Sequence, residues 1–281
     1  PAGDILDERA YVNGIVGLMA TGGSTNLILH LPAMARASGV LLDLADFDVV
    51  WLRQDPPFDM GYITTTHLLE MIHPKTLVVN DPFWVRNSPE KLLVLRFPEL
   101  IPPTAVARDL ATIRAFKDRH GDIILKPLDG MGGMGIFKVG ADGLNLGAII
   151  ETLNRDGQQT VMVQKFLPGI AQGDKRVLLI GGKPVPFCLA RIPQGGEVRG
   201  NLAAGGKGVA QPISARDREI AEALGPILMA RGLMLVGLDI IGESLTEINV
   251  TSPTCFQEIT DQMGCDVAAL FVDAVEAACA A

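Results

Sequence analysis

Two stretches of this chain run strand, tight turn, strand, and they commit much of it to antiparallel sheet. Arg176–Ile180 and Val185–Ala190 flank Gly181-Gly182-Lys183, and Val236–Ile241 and Leu245–Val250 flank Gly242-Glu243-Ser244. Apolar runs separated by so few glycine-bearing residues fold back as hairpins. Earlier in the chain the order differs. Asp48–Leu52 reads as a strand, Thr64–Met71 as a helix, and Leu77–Asn80 as a short buried strand closed by Asp81-Pro82. Strand, helix, strand in that order is a piece of parallel α/β sheet. The expected class is therefore α/β with α+β character.

Further elements follow from local signals. Ser88 is expected to cap a helix with Pro89 in its first turn. Leu110–Arg119, Ala215–Arg231 and Val267–Ala278 read as helices, and Asp122–Pro127 and Thr160–Lys165 as strands. Near the start, Leu27–Ser38 reads as a helix capped near Asn26, kinked at Pro32 and ended by Gly39. Ile192–Gly208 reads as a long polar loop with six glycines. Loops of that length, beyond about 12–15 residues, are more often functional than plain connectors.

Composition limits what such a fold does. At 281 residues the chain has room for one large domain or two small ones, and 48% hydrophobic with 20% charged residues excludes wholesale disorder. A net charge of −8 argues against nucleic acid as the main partner. No apolar run approaches the roughly 20 residues that span a bilayer, and Val12–Ala20 lacks the basic flank of a signal peptide. Cys188, Cys255, Cys265 and Cys279 form no C-x-x-C pair, so a zinc site or disulfide framework is not expected. Reduced thiols in a cytoplasmic protein are.

Four constellations carry possible chemistry. Lys126 ends a strand and is followed by Asp129-Gly130-Met131-Gly132-Gly133-Met134-Gly135. A loop of this kind, Gly132 and Gly133 at its centre, can aim N–H groups at anionic oxygens beside the ammonium. The plain alternative is a structural glycine turn. Asp239 on one hairpin strand can face Glu247 and Asn249, which share a face of the next because side chains alternate. Two carboxylates and an amide oxygen suit a hard divalent cation bridging phosphates, although half-exposed hairpins commonly carry polar residues. Gln164, Lys165, Phe166 and Leu167 end a strand where backbone groups and apolar walls can receive a flat ring. Arg176, Arg191 and Arg199 offer forks for carboxylates, Arg199 from within the glycine-rich loop, which can close as a lid. Read plainly, that loop is only a solvated segment with surface charges.

Taken together, DPPFD at Asp55–Asp59, DIILKPLDGMGG at Asp122–Gly133, ARIPQGGEVRGNLAAGG at Ala190–Gly206 and GLDIIGESLTEINVTSPT at Gly237–Thr254 closely resemble bacterial-type glutathione synthetase, an ATP-grasp ligase. The likeness covers about residues 43–281. It implies an ATP-grasp fold over residues 91–281, after residues 43–90 as the remnant of a truncated amino-terminal parallel α/β domain. It implies that ATP, γ-glutamylcysteine and glycine are joined through an acyl-phosphate in a cytoplasmic homo-oligomer, tetrameric in the family, with Mg2+ or Mn2+. Lys91 and Lys126 would meet the phosphates, Gln164 to Leu167 the adenine, and Asp174 the ribose region. Asp239, Glu247 and Asn249 would hold two metal ions. Arg176, Arg191 and Arg199 would meet the peptide carboxylates or the acyl-phosphate.

Asn13–Val40 instead resembles an internal segment of the dihydroxy-acid and phosphogluconate dehydratase family. Residues 1–42 are therefore expected to be a fragment in place of the first part of the ligase, with the join within Asp43–Asp48. The segment contains no cysteine and cannot hold an iron–sulfur cluster by itself. The competing readings are a nucleotide-binding remnant without turnover, another ATP-grasp carboxylate–amine ligase, and an iron–sulfur lyase.

Overall fold

Strand β1 (Val49–Trp51) and strand β2 (Leu77–Val79) pair in parallel, with Val49 opposite Leu77 and Trp51 opposite Val79. The computed structural model describes residues 36, 37, 39, 44–155 and 157–280. The helix expected at Leu27–Ser38, and nearly all of the dehydratase-like segment, lie outside the described residues. Helix α1 (Met60–Glu70) joins β1 to β2. It starts four residues before the expected Thr64 because the Asp59 carboxylate, ending the DPPFD turn, accepts the Tyr62 N–H at 3.0 Å and caps it. Asp81 does more than close β2. It caps a further short helix, α2 (Pro82–Arg86), accepting from Phe83 and Trp84.

Ser88 does not cap the next helix, α3 (Glu90–Leu93). Pro89 takes the cap position without a side-chain bond, and Ser88, one residue further upstream, is buried with an unpartnered hydroxyl.

A four-stranded antiparallel sheet follows, in the order β3 (Thr104–Ala107), β6 (Val161–Lys165), β4 (Ile123–Pro127), β5 (Phe137–Val139). Helices α4 (Leu110–His120) and α5 (Leu146–Asn154) cover one face, packing Ile113, Leu146 and Ile150 against Ile123, Leu125, Val161 and Val163. On β6 the next residue, Met162, turns the other way, into a second core.

Both expected hairpins belong to a five-stranded antiparallel sheet. Its order is β11 (Ser244–Asn249), β10 (Leu235–Ile241), β7 (Asp174–Ile180), β8 (Lys183–Ile192), β9 (Lys207–Pro212). Helix α6 (Ala215–Met229) lies on one face, and α7 (Phe256–Met263) and α8 (Val267–Cys279) on the other. On β7, Val177 and Leu179 share a core with Ile220, Leu224 and Leu228 of α6. Leu178 and Ile180 share the other with Ile259 of α7 and with Val267 and Phe271 of α8. Two-sided burial is why consecutive residues of β7 (Val177–Ile180) and β10 (Leu235–Leu238) carry no alternating polar residue.

The amino-terminal unit packs onto this five-stranded sheet. Leu52, Tyr62, Leu69, Val78 and Val85 join one hydrophobic cluster with Val236, Leu238, Ile240 and Ile248 of β10 and β11. Asn80, just past β2, completes the junction. Its Nδ2 donates to Leu235 O at 2.7 Å and Val250 O at 2.8 Å, and its Oδ1 accepts the Leu235 N–H at 2.8 Å. Removing the side chain strands three buried backbone groups. Asn80→Ala should therefore cost about 3 kcal/mol in urea unfolding, since each buried group left unpaired costs about 1–3 kcal/mol. A loss comparable to that of an ordinary surface substitution, within about 0.5 kcal/mol, would contradict the bridging role.

Candidate functional site

Residues from both larger sheets, from α3 and from two loops line one cleft of about 310 Å³. Every candidate residue named from the sequence borders it: Lys91, Lys126, Gly132, Gly133, Gln164, Lys165, Phe166, Leu167, Asp174, Arg176, Arg191, Arg199, Asp239, Glu247 and Asn249.

The two lysines reach adjacent residues of β11, Lys91 at Glu247 and Lys126 at Thr246. Lys126, near the end of β4, is buried and donates to Thr246 O at 3.3 Å. Burial pulls its pKa down, against the attraction of Glu247. Lys91, in α3, lies 3.0 Å from Glu247 Oε1 and donates to Gly130 O at 2.5 Å. Burial opposes its charge too, but Glu247 carries its pKa above the usual lysine value.

Asp239 stands directly opposite Glu247 across the β10–β11 ladder. Asn249 donates its Nδ2 to Gly237 O at 3.1 Å, which leaves the amide oxygen as an acceptor. Both carboxylates already have cationic partners. Arg176 grips Asp239 with Nε at 2.6 Å and Nη2 at 3.1 Å, while Arg191 Nη2 lies 2.9 Å from Asp239 and 2.5 Å from Asp174. Burial alone would raise the Asp239 pKa; the two guanidinium groups hold it well below the carboxylate range. The reach of Arg176 depends on Gly237, where a Cβ would lie 2.8 Å from Arg176 Cδ.

Two of the three arginines are thus already engaged. The forks of Arg176 and Arg191 are turned onto protein carboxylates, because both side chains are buried where an unpaired carboxylate would be costly. Arg199 differs, being partly exposed and paired with Glu197 of its own loop, at 2.8 and 2.9 Å. Asp174 is likewise bound to Arg191, and its Oδ1 is buried without a partner. Burial pushes Asp174 up to about 6 despite Arg191.

Part of the strand end at Gln164–Leu167 is already engaged. The Lys165 and Phe166 N–H groups are taken up by Pro103 O and Asp122 O, both at 2.9 Å, and Gln164 Nε2 donates to Thr104 Oγ1 at 3.2 Å. The neighbouring β3 and the start of β4, absorbing these donors, leave the Phe166 ring as a wall, with Lys138 Nζ 3.9 Å from its centre.

The glycine loop and the long loop touch. Gly133 has φ +81, and a Cβ there would lie 2.6 Å from Asn201 Oδ1. The long loop is shorter than expected. β8 runs through Ile192, β9 begins at Lys207, and Leu202–Ala204 forms a 3₁₀ turn.

Sequence reasoning missed the side chains that hold the turn after β11. Arg53 Nη1 donates to Pro253 O at 2.8 Å, Ser252 Oγ donates to Asp55 Oδ1 at 2.6 Å, and Glu90 accepts from Val250 and Thr251. DPPFD entered only through the family likeness and Glu90 was not singled out; their partners, far along the chain, were invisible.

Among the described residues no group of three or more His, Cys, Asp or Glu side chains could hold a metal ion alone. Asp239 and Glu247 with the free Asn249 oxygen form an all-oxygen donor set, which fits a hard divalent cation that takes further oxygens from a phosphate.

A family model described as the prokaryotic glutathione synthetase ATP-grasp domain matches residues 90–264, and that of the same family's N-terminal domain matches residues 26–86. The second match begins inside the segment read as dehydratase-like, and nothing in these matches supports the dehydratase reading. The chain is 59% identical over 239 residues to a glutathione synthetase of Ralstonia nicotianae, covering 85% of this chain and 74% of that protein. It is 58% identical over 236 residues to one of Nitrosomonas europaea, covering 84% and 74%. Its fold resembles a D-cycloserine synthetase (TM-score 0.65, 15% identity, 88% of this chain and 93% of that one). It also resembles a RimK-domain ATP-grasp protein of Sphaerobacter thermophilus (TM-score 0.56, 19% identity, 81% of each).

The Asp174 geometry has a pH signature. A carboxyl whose pKa rises from 3.8 unfolded to about 6 folded adds stability at low pH that is lost as the pH rises through about 6. Urea unfolding of wild type and Asp174→Asn between pH 5 and 7 isolates it. The stability of wild type relative to the variant should fall with rising pH; a flat difference would place the Asp174 pKa outside this window.

Proposed function

Since the chain belongs to the prokaryotic glutathione synthetase family, we propose that it joins γ-glutamylcysteine to glycine with ATP, through an acyl-phosphate. A carboxylate resists an amine until one of its oxygens becomes a leaving group. The peptide's carboxylate oxygen attacks the γ-phosphorus, and the bond from that phosphorus to the ADP oxygen breaks. The glycine nitrogen then attacks the acyl carbon, phosphate leaves with the activated oxygen, and the nitrogen gives up a proton. Positioning and charge stabilisation supply most of the catalysis in such a transfer.

The observation that carries this reading is the pair of buried lysines at the β11 wall of the cleft, Lys91 on Glu247 and Lys126 on the neighbouring Thr246 O. Both lysines are aimed at nucleotide phosphates, with Gly132 and Gly133 at the turn beside them. Phe166 and Leu167 wall the adenine, and Gln164 and Lys165 support that wall. Asp174 lies toward the ribose. Asp239, Glu247 and Asn249 would hold Mg2+ or Mn2+, which offsets charge on the transferring phosphoryl group. Arg199, the least tied of the three arginines, would swing with its loop onto the acyl-phosphate and exclude water. Arg176 and Arg191 keep Asp239 ionised and bring positive charge beneath the peptide's carboxylates.

The proposal divides the chain near residue 90 and includes a homo-oligomer, for which sedimentation velocity is the direct measurement. For residues 1–42 it keeps the dehydratase-like replacement on the Asn13–Val40 run alone; the family match from residue 26 weighs against its later half. No helix among the described residues is long and apolar enough to cross a membrane. The reading places the chain in the cytoplasm, where its four free cysteines would stay reduced.

A coupled assay for ADP release tests the reaction. Release should require γ-glutamylcysteine, glycine and magnesium together, and Glu247→Gln should lower kcat by about 100-fold or more with the fold retained. ATP binding without ADP release would make the chain a nucleotide-binding remnant. Full magnesium-dependent turnover in Glu247→Gln would remove the hairpin from the metal site.

A further inference from the structure

Glu90 begins α3, immediately before Lys91. Its Oε1 accepts three hydrogen bonds: from Val250 N at 2.8 Å, Thr251 N at 3.0 Å and Thr251 Oγ1 at 2.8 Å. These are the two residues after Asn249, where β11 ends. Among the described residues β11 is an edge strand with β10 as its ladder partner, so the ladder offers its departing chain no further partners. One carboxylate oxygen takes both N–H groups instead. On the other side of the same residue, Val250 O is held by Asn80.

We propose that Glu90 is a positioning residue, clamping α3 to the exit of β11 so that Lys91 is held against Glu247. Consecutive residues of one short helix grip one strand at two places, Lys91 at Glu247 and Glu90 at Val250 and Thr251. At about 3.3 Å per residue those grips are roughly 10 Å apart. Two grips at that spacing fix both the rotation of α3 and its position along β11; with one, only the apolar packing of Leu93 and Val94 would set that rotation. The placement is not electrostatically favourable in itself, because burial and the neighbouring Glu247 both push the Glu90 carboxyl up. The oxygen is used as an acceptor, which a neutral amide can also supply.

This inference rests on reading Lys91 as a nucleotide ligand. The experiment compares wild type with Glu90→Ala, Glu90→Gln, Lys91→Ala and the Glu90→Ala/Lys91→Ala double variant. It measures kcat, ADP affinity by calorimetry and hydrogen exchange at the Val250 and Thr251 amides, at a temperature where circular dichroism shows each protein folded. Glu90→Ala should speed exchange at both amides, weaken ADP about tenfold and lower kcat, a tenfold change being about 1.4 kcal/mol. Glu90→Gln, which keeps the acceptor oxygen, should stay near wild type in all three. The double variant should bind ADP no worse than Lys91→Ala, because Glu90 acts through Lys91. Unchanged exchange in Glu90→Ala overturns the clamp. A Glu90→Gln protein as impaired as Glu90→Ala also overturns it, since the charge rather than the acceptor would then matter. So does a folded Glu90→Ala protein with wild-type kcat and ADP affinity while Lys91→Ala is impaired. If Lys91→Ala itself binds ADP normally, the nucleotide role of Lys91 fails, and the exchange data still decide whether the clamp exists.

Discussion

Asp239 lies under the cleft with both carboxylate oxygens met by guanidinium groups, and the surrounding sheet serves that pairing. Moving a carboxylate out of water costs several kcal/mol unless its oxygens are satisfied. The partners come from neighbouring strands at fixed register. Arg176 on β7 stands opposite Asp239 on β10, and Asp174 on β7 stands opposite Arg191 on β8. A slip of one residue would turn these side chains to the other face. The alternation of Asp174, Arg191, Asp239 and Arg176 is therefore a constraint on the register of three strands as well as a feature of the site.

From that point the dependence runs outward along β11. Glu247 faces Asp239 across the ladder, and the chain then leaves the sheet edge. What steadies it beyond Asn249 comes from sequence that precedes the antiparallel sheets. Asn80 takes Val250 O, Glu90 takes the Val250 and Thr251 N–H groups, Arg53 takes Pro253 O, and Asp55 accepts from Ser252. The small parallel unit thus reaches the cleft through polar side chains at its strand ends, while its apolar residues fill the main core. Its contribution to chemistry is the rigidity of the turn that follows the candidate metal-binding strand.

Much of this was legible because it is local or periodic. The hairpins announce themselves by glycine turns, and two-residue alternation alone puts Glu247 and Asn249 on one face. Lys126 was visible as a lysine at a strand end before a glycine loop. Pairings at long range were not visible. Nothing near Glu90 announces that its partners lie 160 and 161 positions away. Weak elements were missed for a physical reason. β5 leaves Phe137 and Lys138 exposed, and α5 and α7 start from left-handed residues, Asn145 and Cys255, without a side-chain cap. β9, which begins at the end of the glycine-rich region, is held by its ladder with β8 rather than by its own composition. The individual roles of the lysines, arginines and Asp174 came from family likeness, which described them as ligand contacts. Only the folded chain reveals how many are first bound to one another.

That mutual binding is incomplete in an instructive way. The chain carries a net charge of −8, yet the cleft holds two buried ammonium groups: Lys91 pairs with Glu247, while Lys126 donates to Thr246 O. Glu90 has its oxygen engaged by Val250 and Thr251, and Asp239 is engaged by two arginines. Lys91 holds Glu247 at ion-pair distance, so Lys126 receives only part of that charge, and burial pulls its pKa down. A positive charge left short of a counter-charge in a medium of low polarity attracts an anion far more strongly than the same charge at the surface. The local excess therefore sits where β4 meets the glycine loop, and a polyphosphate entering there would give Lys126 the counter-charge that Glu247 cannot supply to both lysines.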